Sequence, residues 1–293
     1  MTQQQSIKLI ECPRDAMQGI HDFIDTDLKA AYINLLLQVG FDTIDFGSFV
    51  SPKAIPQLRD TAEVLSKLDL GSTSSKLLAI VANLRGAEEA STHPEINYLG
   101  FPFSISETFQ QRNTNSSIAQ SLDTVKQLLE LCSKRDKTAV IYLSMGFGNP
   151  YGDEWNVEII ERWADELVQN GAKILALSDT TGVSTPQKIK EILPSLVKRF
   201  EQVDPAKNIE IGLHLHSTPY TRFEKIQAAY ESGCRRFDSA LKGFGGCPMA
   251  TDDLTGNMAT EDLISYLNSK GEVLNLNMDK WQEALRFSGK VFL

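Results

Sequence analysis

The sequence predicts a single (β/α)8 barrel, and three observations carry this prediction. Short apolar runs rich in β-branched residues alternate with longer amphipathic runs, which is typical of strand–helix units. Eight such units can be counted, and 293 residues match the roughly 250 residues of this fold plus an extension. An open doubly wound sheet is the alternative, but the count of eight favours the barrel. Since no linker-like composition divides the chain, we interpret residues 1–293 as one domain with a short C-terminal helical extension.

The predicted strands are short and apolar, and they lie at residues 7–12, 42–46, 76–82, 97–103, 138–144, 173–178, 209–216 and 235–240. Between them lie the helical patterns. Thr26 is a candidate N-cap for the first of these, and Gly40, Gly171 and Gly233 each follow a helical run as stop signals. The predicted helices cover residues 26–39, 56–68, 84–90, 117–134, 157–170, 186–200, 221–232, 260–268 and 279–288.

Composition narrows the class of protein. The net charge of −9, without a basic patch, argues against nucleic acid as a partner. No apolar run approaches the roughly 18 residues of a membrane helix, so no membrane partner is expected. The N-terminus is polar and does not resemble a secretory signal, and the four cysteines show no paired spacing. We therefore expect reduced thiols and a cytoplasmic location. The exposed helix faces of a barrel are compatible with a homodimer.

Two of the four histidines, His214 and His216, stand one residue apart at the end of the predicted seventh strand. Residues i and i+2 of a strand point to the same face, so both imidazoles could hold one metal ion. An isolated His-x-His has about even odds of being structural. Active sites of barrels lie at the C-terminal ends of the strands, where many polar side chains follow the predicted strands. These are Arg14, Asp15, Asp45, Ser48, Asn83, Asn149, Tyr151, Asp179, Thr180, His214, His216 and Lys242.

Asp15 after strand one and Asn257 before a predicted helix could complete the histidine pair. A mixed nitrogen and oxygen set without thiolate suits Mg²⁺, Mn²⁺ or another divalent first-row ion. Arg14 could hold a carbonyl or enolate through its donor fork, although a loop salt bridge or a turn is the better explanation of an isolated Pro-Arg-Asp. A Thr260 helix cap is the simple interpretation of the segment after Asn257.

Four further acids and one thiol are candidates for supporting roles. Glu11, Asp45 and Asp179 lie in or next to predicted strands, where charge is depleted, so they could orient a histidine or arginine. Glu261 is the remaining acid. Cys247 ends a glycine-rich loop that could be a plain flexible connection or could fold over the barrel mouth.

Six segments resemble the 3-hydroxy-3-methylglutaryl-CoA lyases of the DRE-TIM metallolyase superfamily. They run in the family's order across essentially the whole chain. The segments at residues 48–53, 245–250 and 256–262 are the most specific, because they separate this group from the synthases that share the barrel. The segments are residues 11–18 (ECPRDAMQ), 48–53 (SFVSPK), 178–182 (SDTTG), 214–216 (HLH), 245–250 (GGCPMA) and 256–262 (GNMATED).

The resemblance implies a divalent metal, Mg²⁺ or Mn²⁺, and an acyl-CoA substrate. The implied reaction is retro-Claisen cleavage of 3-hydroxy-3-methylglutaryl-CoA to acetyl-CoA and acetoacetate. The implied ligands are Asp15, His214, His216 and Asn257, with His214 also counted among the catalytic side chains. Arg14 would stabilise the enolate, Cys247 would donate or shuttle a proton, and Asp179 and Glu261 match further active-site acids.

The chain departs from the family pattern at several positions. The first motif has one residue fewer between Glu11 and Arg14. Asp45 stands where a glutamate is usual, Ser217 replaces an aspartate, and His21 replaces a lysine. Two alternatives therefore stay open: a related lyase or aldolase acting on another hydroxyacyl-CoA or hydroxy acid, and a non-catalytic acyl-CoA-binding barrel.

Overall fold

The computed structural model describes residues 6–204, 208–246 and 255–292. Within these ranges the strands are β1 (Lys8–Glu11), β2 (Thr43–Ser48), β3 (Lys76–Ile80), β4 (Ile96–Ser104), β5 (Thr138–Ser144), β6 (Ile174–Ser178), β7 (Glu210–His214), β8 (His216–Ser217), β9 (Arg236–Ser239) and β10 (Gly256–Asn257). Strands β1 to β7 and β9 form a closed parallel barrel in which β9 pairs with both β7 and β1. The predicted (β/α)8 barrel is therefore confirmed.

Helices follow the barrel strands along the chain, and the C-terminal extension is also helical. They are α1 (Pro13–Gln18), α2 (Thr26–Val39), α3 (Thr61–Ser66), α4 (Leu84–Ser91), α5 (Glu107–Thr114), α6 (Ile118–Lys134), α7 (Val157–Gln169), α8 (Pro186–Val203), α9 (Arg222–Glu231), α10 (Thr260–Ser269) and α11 (Met278–Phe292). None of the described helices is both long and apolar enough to cross a membrane.

Two apolar layers hold the fold together. The larger one lies between the strands and the surrounding helices. The smaller one fills part of the barrel interior and includes Tyr98 and Tyr142. The final helix α11 packs against α2, where Tyr32 meets Phe292 edge-on with ring centroids 5.6 Å apart. Burial of this apolar surface is the main stabilising contribution to such a fold.

One predicted helix is wrong. The run at residues 56–68 forms a 3₁₀ turn, Pro56–Leu58, followed by the short α3. The side chain of Gln57 is buried and bonds to the backbone of Ile20, Asp22 and Ile24. These tertiary hydrogen bonds compensate for the backbone hydrogen bonds that a continuous helix would form here. Sequence periodicity reports only the local helical pattern, so it does not reveal the interruption.

Three further details differ from prediction, and in two of them a tertiary contact replaces the local one. The seventh strand ends at His214, since the carbonyl of Leu215 accepts a hydrogen bond from Met258 N at 3.0 Å. Asp25 caps α2 in place of Thr26, accepting from two backbone N–H groups. Thr260 is the first residue of α10 rather than its cap, because its hydroxyl donates to Glu11. Helices α1 and α5 were not predicted.

Candidate metal centre and active site

Helix α1 carries two of the predicted site residues directly after β1. Pro13 occupies its first position, where the missing N–H costs nothing, and fixes the backbone angle that begins the helix. Arg14 and Asp15 follow in the first turn, and both are buried. A short helix thus stands where a loop was expected, and it places a guanidinium and a carboxylate at the C-terminal end of β1.

Asp15, His214 and His216 come together at this end of the barrel. One potential ligand atom from each lies within 4.8 Å of the others. The two imidazole rings are 5.3 Å apart between centroids. The three side chains, predicted as metal ligands from two separate parts of the sequence, therefore converge on a space of the size that one cation occupies.

Asn257 joins this group through the small sheet of β8 and β10. The two strands are antiparallel, and Asn257 is the direct partner of His216. Its Nδ2 donates to Oδ2 of Asp15 at 2.6 Å and to the carbonyl of Phe244 at 2.8 Å. The fourth predicted ligand is thus adjacent to Asp15. To offer its oxygen to a cation, the amide must turn so that Oδ1 replaces Nδ2 beside Asp15.

The protonation states of His216 and Asp15 suit metal binding. Burial, together with the neighbouring His214, lowers the pKa of His216 to about 4, so this ring is neutral at pH 7. Burial acts to raise the pKa of Asp15, but Arg14, the two histidines and Asn257 outweigh it and lower that pKa. A neutral imidazole and an ionised carboxylate are the forms that bind metal ions.

The buried atoms also fit a cation. Nε2 of His216 has no hydrogen-bond partner within the described ranges. A buried polar atom without a partner costs about 1–3 kcal/mol, so such an atom fits a ligand role. One carboxylate, two imidazoles and one amide form a hard and borderline donor set, which suits Mg²⁺ or Mn²⁺.

The Arg14 guanidinium connects two acids at the edge of this group. Its Nε and Nη2 donate to Asp45, with Nη2 2.6 Å from Oδ2. Its Nη1 donates to Oδ1 of Asp15 at 2.9 Å and to Oε1 of Gln18 at 2.8 Å. A guanidinium has five N–H donors. Four are used in these bonds, so one N–H of Nη2 has no acceptor among the described residues.

Asp179 lies beside the metal centre in a buried ion pair. Its carboxylate accepts hydrogen bonds from the backbone and hydroxyl of Ser184 and from Nζ of Lys225, 3.0 Å away. Lys225 also donates to the carbonyls of His216, at 2.8 Å, and Gly182, at 3.2 Å. In the described structure Asp179 thus reaches His216 through Lys225 and not by a direct hydrogen bond.

Glu261 and Glu11 both contact the segment between β9 and the start of α10. Glu261 accepts a hydrogen bond from the backbone of Lys242 at 2.9 Å. Glu11 is fully buried and accepts from Leu241 N at 2.8 Å and from the hydroxyl of Thr260 at 2.6 Å. Both acids hold the segment after β9 in place. Burial, reinforced by the charge of Glu261, raises the pKa of Glu11 to about 8 despite these two hydrogen bonds.

The start of the glycine-rich loop packs directly on the candidate ligands. A Cβ on Gly245, whose φ is +93°, would lie 2.7 Å from Nδ2 of Asn257 and 2.7 Å from the carbonyl of Asp15. A Cβ on Gly243 would lie 2.9 Å from the carbonyl of Asn257. These glycines therefore permit close approach of the backbone to the site. Cys247, predicted as a proton donor, lies outside the described residues.

The three substitutions relative to the family pattern have different surroundings. Asp45 is buried against Arg14; burial raises its pKa to about 6, although Arg14 counteracts this. The Ser217 hydroxyl faces the carbonyl of Asn257 at 3.5 Å and the sulfur of Met258 at 3.7 Å. The side chain of His21 is fully exposed to solvent. Of the three, only Asp45 bonds to a side chain of the predicted active site.

Sequence patterns alone did not point to Lys225, Gln18 or Asp238 as members of the site. Gln18 lies in a recognised motif, four residues after Arg14, which is the spacing of neighbours on one helix face. Asp238 offered a signal, since Arg236 and Asp238 place two charges on one face of a short strand. Lys225 offered none, because a lysine on an amphipathic helix is normally exposed.

Comparison with known proteins agrees with this geometry. A family model described as HMGL-like matches residues 7–287. The chain belongs to the HMGL-like family. A hydroxymethylglutaryl-CoA lyase of Bacillus subtilis is 34% identical over 275 residues, which cover 94% of this chain and 89% of the relative. The resemblance inferred from the motifs is therefore confirmed.

Solved structures support the same assignment. The HMG-CoA lyase of Bacillus subtilis superposes with a TM-score of 0.88 at 33% identity, covering 97% of this chain and 93% of that one. The HMG-CoA lyase of Acinetobacter baumannii, solved with coenzyme A and 3-methylmalate, superposes with a TM-score of 0.87 at 30% identity, covering 98% and 91% of the two chains. These similar proteins are carbon–carbon lyases, and they share the barrel along its whole length.

Proposed function

We propose that this protein is a metal-dependent carbon–carbon lyase that cleaves 3-hydroxy-3-methylglutaryl-CoA to acetyl-CoA and acetoacetate. The observation that carries the proposal is the convergence of Asp15, His214 and His216 within 4.8 Å. Arg14 lies beside this group with one N–H directed at no acceptor within the described ranges. A cation site next to a partly free guanidinium is the arrangement that enolate chemistry needs.

Asp15, His214, His216 and Asn257 would hold the metal ion, Mg²⁺ or Mn²⁺. When bound, the divalent ion supplies Lewis acidity that lowers the pKa of a coordinated hydroxyl group. His214 has a second nitrogen engaged with Asp238 at 3.3 Å. This engagement leaves the other ring nitrogen of His214 for the metal ion.

Arg14 would hold the charge that develops on the substrate. In the proposed cleavage a base takes the proton of the tertiary hydroxyl, the hydroxyl oxygen forms a carbonyl with C3 as the C2–C3 bond breaks, and the electron pair of that bond passes to the acyl thioester as an enolate. The N–H of Arg14 that has no acceptor within the described ranges can donate to the enolate oxygen. The bonds to Asp45 and Asp15 keep the guanidinium from turning, so the donor is oriented before the reaction. A proton then adds to C2 to give acetyl-CoA.

Cys247 remains the proposed proton donor for this last step, and Asp179 and Glu261 the proposed further active-site acids. The contacts of Asp179 support an indirect role, through Lys225 and the backbone of His216. The contacts of Glu261 support a role in holding Lys242 and the segment after β9. An acyl-CoA substrate and a cytoplasmic location belong to the same proposal, as does a homodimer.

The decisive experiment is product identification with purified protein, Mn²⁺ or Mg²⁺ and a reductant. We expect acetoacetate and acetyl-CoA from 3-hydroxy-3-methylglutaryl-CoA in equal amounts. A panel of other hydroxyacyl-CoA thioesters and free hydroxy acids tests the related-lyase alternative. Product release no greater than in a chelator-treated sample would overturn the substrate assignment. Faster cleavage of another thioester would move the proposal to that substrate.

Two variants separate metal binding from proton transfer. We expect His216→Ala to lose Mn²⁺ affinity and metal-dependent activity together, because the variant removes a ligand. We expect Cys247→Ala to bind Mn²⁺ like the unaltered protein while kcat falls. Isothermal titration with Mn²⁺ and steady-state kinetics measure both. Equal loss of Mn²⁺ binding in the two variants would contradict the assigned roles.

A further inference from the structure

A buried carboxylate faces the Nδ1 atom of His214. The parallel strands β7 and β9 place His214 directly opposite Asp238. Nδ1 of His214 and Oδ2 of Asp238 are 3.3 Å apart, and the Asp238 side chain is fully buried. Asp238 lies on the barrel strand β9 and is not one of the converging ligands Asp15 and His216. A carboxylate in this place can determine which ring nitrogen of the imidazole carries the proton.

Other groups near His214 are less suited to this task. The thiol of Cys12 lies close to His214 and Asp238 but is directed at the carbonyl of Ile10. Burial and the surrounding acids raise the pKa of Cys12 well above its ordinary value, so it stays a neutral thiol. Tyr142 meets the imidazole edge-on with centroids 5.9 Å apart and offers no hydrogen bond to it in the described structure.

The charge of a buried guanidinium, that of Arg236, interacts with Asp238. Arg236 lies two residues before it on β9 and therefore on the same face. Gly212 makes room for this side chain, since a Cβ there would lie 2.8 Å from Cδ of Arg236. Arg236 bonds to Glu210 at 2.9 Å, and its charge interacts with Asp238. Glycine on β7 thus allows a guanidinium inside the barrel, close enough to Asp238 for their charges to interact.

The polar atoms around Asp238 are also incompletely paired. Oδ1 of Asp238, Nε and Nη2 of Arg236 and the hydroxyl of Tyr142 have no hydrogen-bond partner within the described ranges. Buried groups of this kind are normally bridged by ordered water. Within the described ranges His214 is thus the hydrogen-bond partner that the structure gives to the Asp238 carboxylate, through Oδ2.

We propose that Asp238 is a positioning residue that accepts the Nδ1 proton of His214 and thereby directs the Nε2 lone pair towards the metal ion. The inference rests on the proposed function, because it assumes that His214 is a ligand. A carboxylate behind a histidine ligand fixes the tautomer and the ring orientation, and its removal typically weakens metal binding about 10- to 100-fold. Asp238 does not touch the substrate in this proposal.

The tautomer can be measured in the unaltered, metal-free protein. Long-range ¹H–¹⁵N correlation spectra at a pH where His214 is neutral distinguish the two forms, with the His214→Gln spectrum identifying the signal. We expect the proton on Nδ1. A proton on Nε2 would overturn the inference, whether or not the protein binds metal. This measurement needs no variant of Asp238, so it does not depend on how well such variants fold.

Two variants of similar shape test the consequence for metal binding. Asp238→Asn keeps an oxygen acceptor for Nδ1, whereas Asp238→Leu removes it. We expect the Mn²⁺ dissociation constant, measured by isothermal titration, to change less than about threefold for Asn and to rise about 10- to 100-fold for Leu. Equal dissociation constants in the two variants would overturn the inference. A protein that binds no Mn²⁺ even without substitution would instead overturn the proposed function.

Discussion

Gly245 lies so close to Asn257 that a methyl group at its Cβ position would be 2.7 Å from the Asn257 amide nitrogen. The same methyl group would be 2.7 Å from the backbone oxygen of Asp15. Two proposed metal ligands, which are distant in sequence, therefore share one glycine as a neighbour. The start of the glycine-rich loop is part of the wall of the candidate site.

Gly245→Ala should for this reason damage the site more than the fold. Both a steric clash and a left-handed backbone oppose the alanine. Gly233→Ala is the matched control, because its φ of +89° is nearly the same as the +93° of Gly245 and its Cβ would meet nothing within 4 Å. We expect Gly233→Ala to lose about 1–2 kcal/mol of stability for the left-handed backbone, and Gly245→Ala to lose more because the clash adds to this cost. Only Gly245→Ala should lower kcat/KM, by roughly 10- to 100-fold. Equal activity of the two variants would contradict this role.

Arg14→Lys should separate charge from geometry. Lysine keeps the positive charge but cannot bridge Asp45 and Asp15 with a rigid fork. We expect kcat to fall about 10²- to 10³-fold, since an oriented donor to the developing enolate is lost. Arg222→Lys is the control, because Arg222 pairs with Asp262 at 2.6 Å outside the proposed ligand set. Steady-state kinetics should show little change there. Similar kcat values for both variants would contradict the role of Arg14.

The Lys225–Asp179 pair should show strong energetic coupling. Either single variant, Lys225→Met or Asp179→Asn, leaves its partner in a buried place without its ion pair, which costs about 3–5 kcal/mol. The double variant removes both charges, so we expect it to be more stable than the sum of the single losses predicts. Chemical denaturation provides the four free energies of the cycle. The exposed pair Lys190–Glu231 serves as the control, with a coupling below about 1 kcal/mol. Additive losses at Lys225 and Asp179 would contradict a direct ion pair.

The free energy of unfolding should depend on pH through Glu11. Burial raises its pKa from 4.5 to about 8 in the folded state, despite two hydrogen bonds to the carboxylate. The folded protein therefore holds this proton between these two pH values while the unfolded chain releases it. Stability from Glu11 is thus largest below pH 4.5, declines as pH rises, and is lost above pH 8.

Glu11→Gln should remove this dependence, because glutamine does not ionise: its Oε1 can still accept from Leu241 N, and its Nε2 can donate to the Thr260 hydroxyl. We expect the stability of the original protein relative to Glu11→Gln to fall by on the order of 3–5 kcal/mol between about pH 5 and about pH 9. Denaturation at both pH values, with metal removed from both proteins, provides the comparison. A constant difference between the two proteins would show that Glu11 titrates near its ordinary pKa.

The sequence was most informative where the physical signal is local. Short apolar runs between longer amphipathic runs predicted the strands of the barrel. Each strand of a parallel barrel is buried on both faces, against the helices outside and the barrel interior, so its side chains are mostly apolar. The segment at residues 56–68 has a helical pattern, yet the buried bonds of Gln57 interrupt it. Such bonds join groups more than 30 residues apart, so no local window contains them.

By itself, the sequence determined the eight strand–helix units and the chemical types of the four proposed ligands. The tertiary structure alone decided how these ligands meet. Asn257 is next to His216 because β8 and β10 pair outside the barrel, and Asp238 faces His214 because barrel closure brings β9 beside β7. Strand periodicity is a property of neighbouring residues, whereas strand pairing depends on packing across the whole chain. For this reason the sequence indicated which groups form the site, and only the closed barrel showed which groups orient them.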